Sequence, residues 1–184
     1  MYFLKNKTKT FWLLVLMALF AWGVWNYAQY VEAQQRFESF LMRTPAPSLH
    51  QRAIQKLDSA ANEIPTLLKR YEIALSREDY STAVGISAMI IDGVEAQTMP
   101  NISSAAAELW AGYALLRAGD AESSEAHLLR SWQQAVQPYS GDAAWLLALV
   151  AMQRQQKKEE EIWLLRAQNE SQHYAFLAHI AAKN

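Results

Sequence analysis

Phe11-Trp-Leu-Leu-Val-Leu-Met-Ala-Leu-Phe-Ala-Trp-Gly-Val-Trp-Asn-Tyr-Ala28 carries no charge, and from Phe11 to Trp25 no strongly hydrogen-bonding side chain. In hydrocarbon such a run must satisfy its backbone groups internally, which makes it a helix. Its length, at about 1.5 Å per residue, reaches roughly 27 Å, enough for a bilayer core of about 30 Å with snorkelling ends. Trp12 lies near one end, and Trp22, Trp25, Tyr27 and Tyr30 crowd the other, as amphipathic rings do at membrane interfaces. Lys5, Lys7 and Lys9 precede the run and no acidic residue does. The positive-inside rule then predicts residues 1–10 as a cytoplasmic tail, 11–28 as a transmembrane anchor, and export of the chain beyond about residue 30. The expected location is a bacterial inner membrane, crossed once, with the C-terminal domain periplasmic. Ala21-Trp-Gly23 also loosely fits a signal-peptidase site. The aromatics continuing to Trp25 favour an uncleaved anchor, and both readings export the same domain.

Outward from the anchor, about 150 residues remain, enough for one domain with a real core. Six Gly and five Pro are few, long strand-like alternation is missing, and Ala, Leu, Gln, Glu and Arg supply helix-forming stock. Net charge is −1, and without the three N-terminal lysines fourteen basic residues face eighteen acidic ones. That balance argues against a nucleic-acid surface, which needs clustered Lys and Arg. With no cysteine in the chain, disulfides, thiolate catalysis and Cys-based metal or haem attachment are excluded.

The order of helices follows from breaks and caps. Residues 29–47 read as a stalk helix, with Val31, Phe37, Phe40 and Leu41 on an uneven apolar side, ended by Thr44-Pro45-Ala46-Pro47. Residues 48–184 read as the helical domain. Ser48 and Gln51 form a capping box for a helix over about 49–61, and Pro65 sits in the first turn of the next, which runs to about Arg77. Asp79 caps a helix from Tyr80 to Ile91. Asp92–Asn101, with Gly93 and Pro100, is the longest expected loop, and Asn101 caps a helix through Ala118. Gly119-Asp120 turns into another, ending near Val136. Pro138–Asp142 breaks the chain again, helices follow over about 143–155 and 157–168, and Ser171 caps a short last one.

Gly112-Tyr-Ala-Leu-Leu-Arg-Ala-Gly-Asp120 resembles the centre of a tetratricopeptide repeat. The resemblance implies a small residue on each helix where the two cross closely, here Gly112 facing Ser124. Leu115 and Leu128 would fill the layer beside them, and Ser131 would let the next helix approach. The same frame falls on Glu78-Asp79-Tyr80, with the pair Tyr71 and Ala83, and on Gln155, with Ala148 and Glu160. Tyr71 and Glu160 break the small-residue rule, and the intervals of 41 and 36 residues differ from the usual ~34. The fold expected is therefore all-α: a transmembrane helix, then a stack of antiparallel helix pairs forming a tetratricopeptide-like solenoid over about 64–168.

Catalytic chemistry is hard to find. His50, His127, His173 and His179 are scattered, and His173 and His179 lie six apart, off the spacing metal ligands want on a helix. No nucleophile elbow, zinc-protease motif, phosphate loop or dinucleotide fingerprint occurs. Lytic transglycosylases use a Glu-Ser pair, but none of the three Glu-Ser pairs here (38–39, 122–123 and 170–171) is followed by their Gly-Leu-Met-Gln run. Lys157-Lys158-Glu159-Glu160-Glu161 reads as a solvated helix start. No enzyme, cofactor or metal is expected.

In tetratricopeptide stacks the first helix of each pair lines a concave face. Carried over, that frame points Glu72, Leu75, Leu109, Tyr113, Leu116, Arg117, Trp145, Leu149 and Met152 inward as partner-binding residues, with Trp163 outside as packing. Stacked helices offer an extended concave surface without any reactive group. The function expected is a membrane-anchored periplasmic protein–protein interaction module, a scaffold or assembly factor for an envelope complex. Its partners would be other envelope or inner-membrane proteins. One alternative is a structural single-span subunit of a larger membrane complex; another is an envelope enzyme acting on a cell-wall polymer.

Overall fold

Eight helices and no strand make up the described residues, 2–47 and 63–183, of this computed structural model. They are α1 (Tyr2–Arg43), α2 (Glu63–Ser76), α3 (Tyr80–Glu95), α4 (Ser104–Arg117), α5 (Ala121–Gln133), α6 (Tyr139–Gln153), α7 (Lys157–Glu170) and α8 (Ala175–Ala181). The expected helix over 49–61 and its capping box at Ser48 lie outside the described residues. From α2 to α8, each helix packs on the next in the chain.

The three bends α2–α3, α4–α5 and α6–α7 share one backbone geometry. Glu78, Gly119 and Gln155 take left-handed φ of 57°, 88° and 59°. One residue on, the amides of Asp79, Asp120 and Gln156 each donate to a carbonyl five residues back, on Ala74, Leu115 and Ala151, all at 2.9 Å. A left-handed residue closing a helix with this bond satisfies carbonyls that would otherwise be orphaned. Asp79 and Asp120 then open the following helices, their carboxylates accepting from Thr82 N (3.1 Å) and Ser123 N (3.0 Å). Hydrogen bonds to the charged form hold both carboxyls below their usual range. Gln156 occupies the same place without a side-chain cap.

The crossing of α4 and α5 has the small-residue contact expected of it. Ser124 Oγ donates to Gly112 O at 2.8 Å, and a Cβ on Gly112 would stand 2.6 Å from the Leu128 side chain. The Ser131 hydroxyl donates to Ala105 O at 2.8 Å, across the same pair. The two misfits to the small-residue rule have separate causes. Tyr71 is buried and donates from its hydroxyl to Trp110 O at 2.7 Å, tying α2 to α4. Glu160 is turned inward to an ion pair with Arg36 of α1 at 3.0 Å.

Several helix ends differ from the sequence reading. Ser103, not Asn101, caps α4, accepting from Ala106 N at 3.2 Å. Helix α3 runs on to Glu95, with Gly93 against Met99. Helix α5 stops at Gln133, short of Val136. Helix α6 starts at Tyr139, inside the expected break, because Gly141 belongs to it. There a Cβ would fall 2.3 Å from Glu170 O, so the start of α6 lies backbone to backbone on the end of α7.

Helices α4 and α6 are apolar nearly all round, and such helices end up inside. Residues Ser140 to Met152 of α6 are all buried. Two apolar clusters result. One joins Leu68, Tyr71, Ala83, Ile86 and Ile90 to Trp110. The other gathers Leu109, Leu128, Trp145, Leu149, Leu164 and Tyr174 around α6, together with Phe37 and Phe40 of α1.

Helix α1 is one unbroken helix of 42 residues. Among the described residues it is the helix long and apolar enough to cross a membrane. Its large apolar side chains from Trp12 to Tyr30 stand exposed, Phe20 at 76%. Residues beyond about 33 do not project as a free stalk; they lie against the domain.

Candidate functional site

The face expected to be an open groove is filled by the chain itself. Phe40 meets the Trp145 ring edge to face at 5.9 Å. Trp145 Nε1 donates to Thr44 Oγ1 at 3.0 Å, and that hydroxyl donates to Phe40 O at 2.8 Å. Arg117 Nη1 donates to Leu41 O at 3.2 Å, and the Tyr174 hydroxyl to Pro45 O at 2.8 Å. Nearer the exposed apolar segment, Gln34 Nε2 donates to Gln153 O at 3.3 Å. The second half of α1 and the Pro-containing segment after it thus run along α6 and past the end of α4. Along this path Trp145 Nε1, the Thr44 hydroxyl and the Tyr174 hydroxyl find partners, whereas Arg36 Nε and Gln153 Oε1 are buried without one among the described residues.

This occupancy corrects the expected surface. Leu109, Tyr113, Leu116, Trp145, Leu149 and Met152 are all buried. The physical reason is the 3.6-residue spacing of Phe37, Phe40, Leu41 and Thr44, which puts an apolar stripe on α1 that needs covering. Burial raises the Tyr113 phenol above its ordinary range, against the pull of nearby Arg117. Glu72 is exposed, and Leu75 and Arg117 are half-buried. Of the nine residues, these three and Tyr113 come together, around a cavity of about 450 Å³ that also touches Thr44–Pro47, Ser76, Glu78 and Tyr80. There Arg117 lies over the Tyr80 ring, 5.0 Å from its centre, and donates to its hydroxyl. Among the described residues this cavity is walled by Glu72, Leu75, Tyr80 and Arg117, with the Pro-Ala-Pro segment along one side.

Outside the groove, Arg166 is held between two rings, 4.4 Å from Trp132 and 4.6 Å from Trp163, which themselves meet at 5.2 Å. Trp163, on α7, is half-buried in this packing. A second cavity of about 440 Å³ runs between Asn101–Ser103, Trp110, Val136–Tyr139 and Gln172. Trp110 Nε1, buried beside it, has no partner among the described residues.

Two buried carboxylates hold helices together. Glu108 takes His127 Nδ1 at 2.6 Å and Arg130 Nε at 2.9 Å, joining α4 to α5. Asp142 accepts from Ser171 Oγ at 2.8 Å and meets His173 Nδ1 at 2.6 Å. Burial raises the Asp142 carboxyl above its ordinary range, opposed by these Ser171 and His173 bonds. Ser171 also accepts from Tyr174 N at 2.8 Å, so it stops the turn before α8. Serine and histidine here both bond to the Asp142 carboxylate. Among the described residues no group of three or more acidic or histidine side chains is arranged to hold a metal ion.

Comparison with known proteins finds no family profile, no curated protein and no solved structure that matches this chain. Sequence reasoning missed the second half of α1 as part of the domain, although its signal was present in the i, i+3, i+4 spacing of Phe37, Phe40 and Leu41. It also missed the Asp142 cluster, for which residues 29–31 positions apart left no local trace.

Proposed function

We propose that this chain is a membrane-anchored, tetratricopeptide-like helical-repeat protein that binds another protein and carries out no chemistry itself. In this reading α1 spans a bacterial inner membrane with residues 1–10 in the cytoplasm, and the helical domain works in the periplasm as a scaffold or assembly factor. The three bends of shared geometry and the Gly112–Ser124 crossing support the repeat reading. The observation that carries the binding reading is the docked segment itself. A helix followed by a Pro-containing segment lies along α6 and past the end of α4, the kind of ligand a concave helical face takes. With that part committed in cis, the partner would engage the open end, at Glu72, Leu75, Tyr80 and Arg117. The same commitment weighs against a subunit whose stalk is its main interface.

Pull-down of the full chain from mild detergent tests this. Glu72→Arg, on an exposed position, should leave the melting temperature unchanged and lower partner recovery by about tenfold or more, since losing an anchor contact costs on the order of 2 kcal/mol. Unchanged recovery with the folded variant would rule out this end of the groove.

A further inference from the structure

The bend between α6 and α7 lies unusually close to the anchor. Gln29, one residue past the apolar run, shares a small cavity with Glu32, Arg36, Met152, Gln155 and Lys157. Gln34 donates to Gln153 O at the end of α6, and Arg36 holds Glu160 in the first turn of α7. Because α1 is a single helix from Tyr2 to Arg43, this docking fixes the bend relative to the apolar segment. At about 1.5 Å per residue, Gln34 lies roughly 9 Å beyond Ala28. A headgroup layer is about 5–8 Å deep on each side of the hydrocarbon.

The bend is basic. It reads Gln153-Arg-Gln-Gln-Lys-Lys158, with residues 154–158 exposed. Arg154 pairs with Glu125, whereas Lys157 and Lys158 have no ion pair among the described residues. They stand in the first turn of α7, where the helix dipole favours acids over bases. The inward turn of Glu160 onto Arg36 takes one neighbouring carboxylate out of the way. Glu32, Glu159 and Glu161 remain exposed nearby. The helix itself thus gives no reason for two lysines here, but a layer of phosphates would.

We propose that the α6–α7 bend is a membrane-contact surface, in which Lys157 and Lys158 rest on anionic phospholipid headgroups of the bilayer that α1 spans. The contact would hold the domain at a fixed tilt, with the open end of the groove turned away from the lipid. This rests on the anchor reading above, and the test separates the two. The chain has no cysteine, so single cysteines at Gln156, Asn101 and Tyr30 can carry a fluorophore in the full-length protein. The protein is reconstituted into vesicles of phosphatidylcholine with phosphatidylglycerol, containing a lipid with a nitroxide on its headgroup. The label at 156 should be quenched at least about threefold more than the label at 101, and Lys157→Glu with Lys158→Glu should remove most of that difference, as opposite charges bring basic segments to anionic lipid. Quenching at 30 with none at 156 would overturn the contact while leaving the anchor intact. No quenching at either position would remove both. Quenching at 156 that ignores the charge reversal would also overturn the proposal, since proximity without headgroup recognition is all it would show.

Discussion

Helix α1 holds two regions with different apolar patterns and opposite fates. From Trp12 to Trp25 it is apolar on every side, and its large side chains are exposed, Trp22 at 67% and Trp25 at 65%. From Val31 to Thr44 it is apolar on one stripe, and Phe37, Phe40 and Thr44 are buried at 5% or less. A helix apolar all round wants an apolar solvent, whereas a striped one wants a partner surface. The domain supplies that surface only to the second half. The difference teaches that the boundary between the exposed apolar segment and the domain falls inside a helix, where the pattern of apolar residues changes, and not at the prolines that end it.

Mutations that remove a ring from each half should expose this contrast most strongly. Phe40→Ala empties a site against Trp145 and should lower stability by about 3–5 kcal/mol. Phe20→Ala, in the exposed half, should leave the thermal transition of the domain where it is. Chemical denaturation of the full chain in detergent, followed by tryptophan fluorescence, reads both. Equal effects would erase the distinction between the halves.

A smaller effect asks whether the docked half melts with the rest. Gly112→Leu, at the α4–α5 crossing, would push on Leu128 and should cost about 1–3 kcal/mol by overpacking. Replacing exposed Gln156 by Leu should cost much less. If residues 34–44 belong to the domain, Gly112→Leu shifts one transition that includes them, seen in the hydrogen exchange of their amides. Two separate transitions would make α1 an independent element.

The smallest effect comes from the bends. Asp79 and Asp120 have carboxyls held below their ordinary value, so their caps are fully formed above it and are lost as pH falls through the lowered values. The third bend has Gln156 in that place and does not titrate. Below the usual aspartate range the amides of Thr82 and Ser123 should lose exchange protection, and the amide of Glu159 should not. Loss at all three would mean that acid acts on the whole stack.

Much of this was legible in the sequence, for local reasons. Asp79 and Asp120 announce their bends because capping is decided within three residues, and Gly112 with Ser124 announces a close crossing because only small side chains permit it. Gly141 was misread as a breaker. Its role is to admit the Glu170 backbone, a contact made across two helices. The site was legible only at its edge. Glu72, Leu75 and Arg117 line one cavity, but Leu109, Leu149 and Met152 look the same whether a foreign partner or the chain's own helix covers them. Periodicity shows that a face is apolar and is silent on what covers it.

The central claim is that residues 34–44 are part of the core and occupy the groove in cis. Cysteine accessibility in the full-length protein tests it directly, since the chain has no cysteine of its own. Ser39→Cys lies on the exposed side of α1 and Thr44→Cys under Trp145. A water-soluble thiol reagent should modify position 39 at the rate of a surface cysteine and position 44 on the order of a hundredfold more slowly, because position 44 reacts only when the helix lifts off. Equal rates at the two positions, in a protein that still melts cooperatively, would mean that the second half of α1 is a free stalk and that the groove is open.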